Sequence, residues 1–201
     1  MRICFFGDSI VNGTGDPQCL GWTGRVCVSA HALGQDITYY NLGVRRDTST
    51  DICKRWQEEA TRRLPLVGAG TENIDGRLVF SFGINDTVMA DGAQRVSLET
   101  SLDNFQNILT QAKTLFPTLM IGPCMGTDGA HNNRIQQLSD RYKALAEKIG
   151  VPYFDVCRKV GVHPVWIQEV TENDGYHPRA GGYTILATAV TGWDAWLAWF
   201  P

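Results

Sequence analysis

Ile3-Cys4-Phe5-Phe6-Gly7-Asp8-Ser9-Ile10 sets a short apolar run directly before a glycine, an acid and a serine. Four apolar residues in a row suit a strand buried on both faces, as in the middle of a parallel sheet. The Gly7-Asp8-Ser9 break ends that strand sharply and exposes the serine at its carboxyl end. A serine hydroxyl is a weak nucleophile unless a base takes its proton. Far along the chain, Asp174-Gly175-Tyr176-His177 offers a base and a carboxylate to orient it.

Working outward from residues 2–6, strand-like and helix-like segments alternate. Trp22 to Leu33 is predicted as a helix, with Val26, Ala30 and Leu33 at three-to-four spacing and Gly34 as its stop. Ile37 to Leu42 is a second strand, and a charged helix runs from about Ser49 to Leu64. Leu78 to Phe82 is the third strand, followed by a polar loop and a helix from about Leu98 to Phe116. Leu119 to Ile121, a helix over Arg134 to Ile149, a short strand at Pro152 to Phe154 and a final helix over 179–200 complete the pattern. Repeated β-α units of this size imply a parallel sheet covered on both sides, a three-layer α/β domain. No linker or repeat divides the chain, so residues 1–201 are expected to form one domain.

Charged residues make up 19% and hydrophobic ones 43%, which excludes extended disorder. A formal net charge of −3 gives no broad attraction for nucleic acid or an anionic membrane. Arg45-Arg46 and Arg62-Arg63 read as solvated loop and helix faces. No apolar stretch approaches the roughly 20 residues needed to cross a bilayer, so no stable membrane insertion is expected. The six cysteines lack a Cys-x-x-Cys pair, and Met1-Arg2 leads straight into the first strand. Reduced thiols and a cytoplasmic location are the expectation.

In a parallel sheet all strands open their carboxyl ends on one edge, where ligands bind. Ser9 follows the first strand, Gly43 the second, and Gly83-Ile84-Asn85-Asp86 the third; Asp174 and His177 come after the fifth. Acyl transfer is the chemistry this set suits. His177 takes the Ser9 proton as general base and returns it to the leaving group, while Asp174 orients the imidazole. The Ser9 and Gly43 backbone N–H groups and the Asn85 amide are the candidate oxyanion donors. Taken alone, each piece has a structural reading: an N-cap for Ser9, a turn glycine for Gly43, a helix entry for His177. Asp86 is expected to cap a loop, Asp8 to support the turn, and His31 and His163 to be structural. His131 lies in a Gly-rich segment and could line the pocket. The four motifs falling in order at one edge favours the functional reading.

Together these motifs resemble the SGNH hydrolases, or GDSL esterase/lipase family, whose blocks stand here as Gly7-Asp8-Ser9-Ile10, Asn41-Leu42-Gly43, Gly83-Ile84-Asn85-Asp86 and Asp174-Gly175-Tyr176-His177. The resemblance spans nearly the whole chain. It implies a flavodoxin-like α/β/α sandwich with a five-stranded parallel sheet. It implies a Ser9, His177, Asp174 esterase with no metal or cofactor, and an oxyanion hole from Ser9, Gly43 and Asn85. Two departures stand out. Ile10 replaces a leucine, and Val44-Arg45-Arg46 occupies a place where many relatives carry a small residue or glycine. The two arginines could favour an acidic substrate or pair with nearby acids.

An α/β-hydrolase would show Gly-x-Ser-x-Gly, and the chain lacks the second glycine. Gly13-Thr14-Gly15 is not a phosphate loop. A ligand-binding module on the same fold, recognising an acylated or sugar ligand, is the rival from a different class. The expected substrate is a small-molecule ester with an acetyl, short acyl or thioester group. Trp22, Val88, Met89 and the 123–133 loop are the expected pocket lining, around a small open cleft. Trp193 and Trp196 are expected to pack on the sheet, with Trp199 and Phe200 covering a neighbouring surface or a subunit contact.

Overall fold

The computed structural model describes residues 1–64 and 74–200. In chain order the elements are β1 (Arg2–Gly7), α1 (Ser9–Asn12), α2 (Gly21–Ala32), β2 (Thr38–Gly43), α3 (Ser49–Arg63) and β3 (Gly76–Ser81). A small antiparallel hairpin of β4 (Met89–Ala90) and β5 (Ala93–Gln94) leads into α4 (Leu98–Leu115), β6 (Thr118–Ile121) and α5 (Gly129–Ile149). Then follow β7 (Tyr153–Phe154), α6 (Val156–Lys159), α7 (Pro164–Glu172), α8 (Ala180–Thr191) and α9 (Asp194–Leu197).

The sheet has five parallel strands in the order β2-β1-β3-β6-β7, flanked by helices, as the sequence leads one to expect. Side chains alternate across a strand, and β1 divides its apolar run between two cores. Ile3 and Phe5, with Val79, Leu119 and Ile121, pack against Trp22, Val26, Leu186 and Trp196 of α2, α8 and α9. Cys4 and Phe6, with Leu78, Phe80 and Met120, pack against Trp56, Phe105, Leu109 and Tyr142 of α3, α4 and α5. The Phe5 ring meets Trp22 edge-on at 5.6 Å, and Phe6 stacks on Phe80 at 5.3 Å. Each such buried side chain contributes roughly 1.5–3 kcal/mol, so both faces of β1 anchor it.

Register decides where the polar motifs emerge. Gly7 lies level with Gly43 on one side and Ser81 on the other. The residues that follow β1, β2 and β3 therefore open on the same edge. Backbone approach there is close. A Cβ on Gly7 would stand 2.1 Å from the Ser81 carbonyl oxygen, and one on Gly43 would stand 2.2 Å from the Asn12 nitrogen. Both glycines are required because no side chain fits, and only then can the turn of α1 sit against β2.

Several segments depart from the sequence expectation, among them the β4-β5 hairpin within the expected polar loop. Helix α5 starts at Gly129 rather than Arg134, because Asp128 caps it by accepting the His131 N–H at 3.0 Å. A good cap outweighs the poor helix propensity of its glycine and asparagines. The terminal helix is two pieces: α8 ends at Gly192, and Trp193 turns extended to set its ring on Phe154 at 5.4 Å. Helices α6 and α7 arise in a stretch expected to be a connection. His163 caps α7 through its Nδ1, and Pro164 stands in the first turn, where its missing N–H costs nothing.

Gly43→Ala tests the packing of β2 on α1. The added methyl has only backbone to meet, so thermal denaturation should show a loss of about 1–3 kcal/mol, the range for overpacking. An unchanged melting temperature would contradict the contact.

Candidate active site

The site begins with a single helical turn. Asp8 caps α1 by accepting the Ile10 N–H at 2.9 Å, which fixes Ser9 as its first residue, on the sheet edge. Asn41 of β2 ties this turn down. Its amide donates to the Val11 carbonyl at 2.9 Å and to Tyr39 Oη at 3.0 Å, while its Oδ1 accepts the Gly43 N–H at 3.0 Å.

From the opposite direction comes the segment before α8. Asp174 Oδ1 accepts the N–H groups of Tyr176 (3.0 Å) and His177 (2.9 Å). Its Oδ2 lies 2.6 Å from His177 Nδ1, and His177 Nε2 lies 2.7 Å from Ser9 Oγ. Partial burial opposes ionisation of Asp174, but the His177 side chain and the two backbone donors together hold its carboxyl below the usual range. An ionised carboxylate only accepts, so the Nδ1 facing it carries the proton and Nε2 is left to accept from the Ser9 hydroxyl. The three residues thus form an unbroken hydrogen-bond chain with the polarity that proton abstraction from Ser9 requires.

A carboxylate absent from the sequence expectations supports this segment. Glu169 of α7 accepts three backbone N–H groups at the start of α8: Arg179 at 2.8 Å, Gly181 at 3.0 Å and Gly182 at 2.6 Å. Asn173 Nδ2 adds a bond to the His177 carbonyl at 2.9 Å. Residues on both sides of His177 are fixed, so the ring has little freedom to leave Ser9. An acid five residues before Asp174 was the available sequence signal, but helix α7 was needed to aim it.

A cavity of about 220 Å³ opens beside Ser9 and His177, walled by Ile10, Ile84, Asn85, Val88 and Tyr176 and by the arginines Arg45, Arg46 and Arg95. Asn85 reaches it as expected; its amide also donates to the Asp47 carbonyl at 3.0 Å, leaving its second N–H for the cavity. Gly43 does not stand as a free donor. Its N–H is taken by Asn41 and its alpha carbon faces the α1 backbone. The turn that follows it lines the cavity instead, and Arg46 there adopts φ 70°, the left-handed region that favours glycine. Among the described residues, the N–H groups of Ser9 and Arg46 have no acceptor.

Of the expected lining, Val88 is in place and two residues are not. Trp22 is fully buried in the core against Phe5, and Met89 sits half-exposed on the hairpin outside the cavity. His131 is also away from the cavity. It is buried on α5, with Nε2 2.9 Å from Thr87 Oγ1, and burial lowers its pKa below the usual imidazole range. Asp86 plays a long-range structural role: it accepts the Ser49 N–H at 2.8 Å and the Ser101 hydroxyl at 2.5 Å, joining β3 to α3 and α4.

Residues 5–185 match the model of the GDSL-like lipase/acylhydrolase family. No curated protein sequence matches the chain significantly. Among solved structures, a lipase/acylhydrolase from Enterococcus faecalis is similar with a TM-score of 0.77 at 23% identity, over 94% of this chain and 93% of that one. An acetylxylan esterase from Geobacillus stearothermophilus is similar with a TM-score of 0.73 at 20% identity, over 96% and 95% of the two chains. At these identities the likeness is one of fold. Among the described residues, no helix is long and apolar enough to cross a membrane.

Asp8 gives the site a pH-dependent foundation. Burial, with the Asp86 and Asp47 charges adding to it, pushes its carboxyl up to about 7. A raised carboxyl pKa means the folded state holds the proton more tightly than the unfolded one. The contribution of Asp8 is therefore fully present below its unfolded pKa and lost as pH rises through about 7. Asp8→Asn keeps an oxygen for the Ile10 cap and removes the titration. Its melting temperature relative to wild type should climb between about pH 4 and about pH 8 and level off above. A difference that does not change with pH would contradict this.

Proposed function

The chain belongs to the GDSL-like lipase/acylhydrolase family and is an ester-bond hydrolase, and we propose that it acts as a serine esterase on small or medium carboxylic esters through a Ser9 acyl-enzyme. The observation that carries this reading is the continuous path from Asp174 Oδ2 through His177 to Ser9 Oγ, with both contacts below 2.8 Å.

In the proposed reaction Ser9 Oγ attacks the ester carbonyl carbon while its proton passes to His177 Nε2. Asp174 stabilises the imidazolium that forms. The tetrahedral intermediate collapses as the C–O bond to the alcohol breaks, and the leaving oxygen takes the proton from His177. Water then attacks the acyl-enzyme, giving its proton to His177, and Ser9 leaves with that proton as the carboxylic acid departs. Negative charge on the carbonyl oxygen falls to the Ser9 N–H, the second N–H of Asn85 and the free N–H of the Arg46 turn. The last of these takes the place expected of Gly43. A preorganised donor of this type is worth about 10²–10³ in turnover.

The cavity volume of about 220 Å³ suits an acetyl or short acyl group. An acetylxylan esterase among the similar folds is compatible with that size class. A non-catalytic binding role on the same fold has no observation to favour it over this reading, because binding alone does not call for a base aimed at Ser9.

Hydrolysis of para-nitrophenyl esters from acetate to decanoate should be fastest at the short end. Ser9→Ala should lower kcat by about a thousandfold or more while retaining the fold by circular dichroism. Equal rates for wild type and Ser9→Ala would overturn the esterase mechanism; a maximum at long chains would overturn the substrate size.

A further inference from the structure

We propose that the arginine rim of this cleft selects esters carrying an anionic group close to the scissile carbonyl, an inference that rests on the esterase reading above. Arg45 and Arg46 reach the cavity from the turn after β2, and Arg95 reaches it from the segment after β5. Two separate chain segments thus bring three arginines to one small cavity. No aspartate or glutamate lines it.

The three are not explained by internal pairing. Among the described residues, none forms an ion pair or donates a side-chain hydrogen bond, whereas Arg25, Arg55 and Arg158 each meet a carboxylate. The acids nearest the rim are already committed. Asp47 accepts from Arg55 Nε at 2.8 Å, Asp51 closes a capping box with Thr48, and Asp174 holds His177. The charge of Arg95 does reach Asp51, without contact between them. Overall charge is no explanation either, since the chain carries a formal −3. A positive cleft in an acidic protein concentrates field lines where substrate enters.

The chemistry of the ligand follows from the groups present. Guanidinium forks match the two oxygens of a carboxylate, or those of a phosphate or sulfate, and bind them bidentately. Ile10, Ile84 and Val88 supply apolar wall for a short hydrocarbon between that anion and the ester. A substrate with the anion on either its acyl or its alcohol part would use the same rim, so both placements are tested.

One pair of substrates compares the adipate monoester of para-nitrophenol with para-nitrophenyl hexanoate, placing charge on the acyl part. A second pair compares para-nitrophenyl acetate with its ring-carboxylated analogue, placing charge on the alcohol part. At low ionic strength the wild type should favour the charged member of at least one pair by about tenfold in kcat/KM. That preference should shrink in roughly 0.5 M salt, as screened electrostatics requires. Arg45→Gln combined with Arg95→Gln should reduce the charged-to-neutral ratio by about tenfold. No preference in either pair, or a preference that the double variant retains in full, would overturn the inference while leaving the esterase reading intact. Failure of the folded wild type to cleave any of the four esters would overturn the esterase reading, and this inference with it.

Discussion

The Ser9 hydroxyl meets the His177 imidazole at 2.7 Å across 168 residues of sequence, and much of the molecule works to hold that distance. On the Ser9 side, the buried β1 run and the glycines at its end let α1 press against β2, where Asn41 ties it down. On the His177 side, Asp174, Asn173 and Glu169 fix the segment between α7 and α8. The two sides meet through α2 and α8, which share one core on the same face of the sheet. A hydrogen bond of this kind is worth only about 0.5–1.5 kcal/mol in stability, so the packing positions the bond rather than the reverse.

Electrostatics divides the site into two zones. Near Ser9 the carboxylates are buried or fully occupied: Asp8 caps α1, Asp86 joins three elements, and Asp174 faces the imidazole. At the rim Arg45 and Arg46 are exposed and Arg95 is half-buried, and all three line the cavity. Negative charge that develops on a reacting carbonyl therefore meets N–H donors and nearby cations, and Asp174, although exposed, is turned to the imidazole. The cost of this arrangement is local. Arg46 holds a left-handed backbone that disfavours a side chain by about 1–2 kcal/mol.

Apolar runs made the sheet legible, because a parallel strand covered on both faces must be apolar throughout. Ser9 and Asn85 were legible for a topological reason, since each follows a strand and the strand ends open on one edge; Asp174 and His177, between α7 and α8, were legible as an acid and a histidine three residues apart. Gly43 shows where this logic stops. Sequence placed it at the edge but not the direction of its N–H, which Asn41 captures two residues earlier in the chain. Trp22 lies near the first motif in sequence, yet its helix turns the ring into the core. Arg95 was illegible because a hairpin of two-residue strands carries it to the cavity. Asp91-Gly92 at its tip, both with positive φ, is the turn signal that marks such a hairpin. Glu169 could not be singled out, since a lone acid acquires its role only when α7 brings it to the start of α8.

The central claim is that His177 activates Ser9 as a nucleophile. Intact-mass and peptide mass spectrometry after exposure to a fluorophosphonate tests it most directly. One phosphonyl group per chain should appear, on the peptide bearing Ser9, and His177→Ala should slow its formation by about a thousandfold. Labelling elsewhere, or labelling of Ser9 at the same rate in both proteins, would contradict the account.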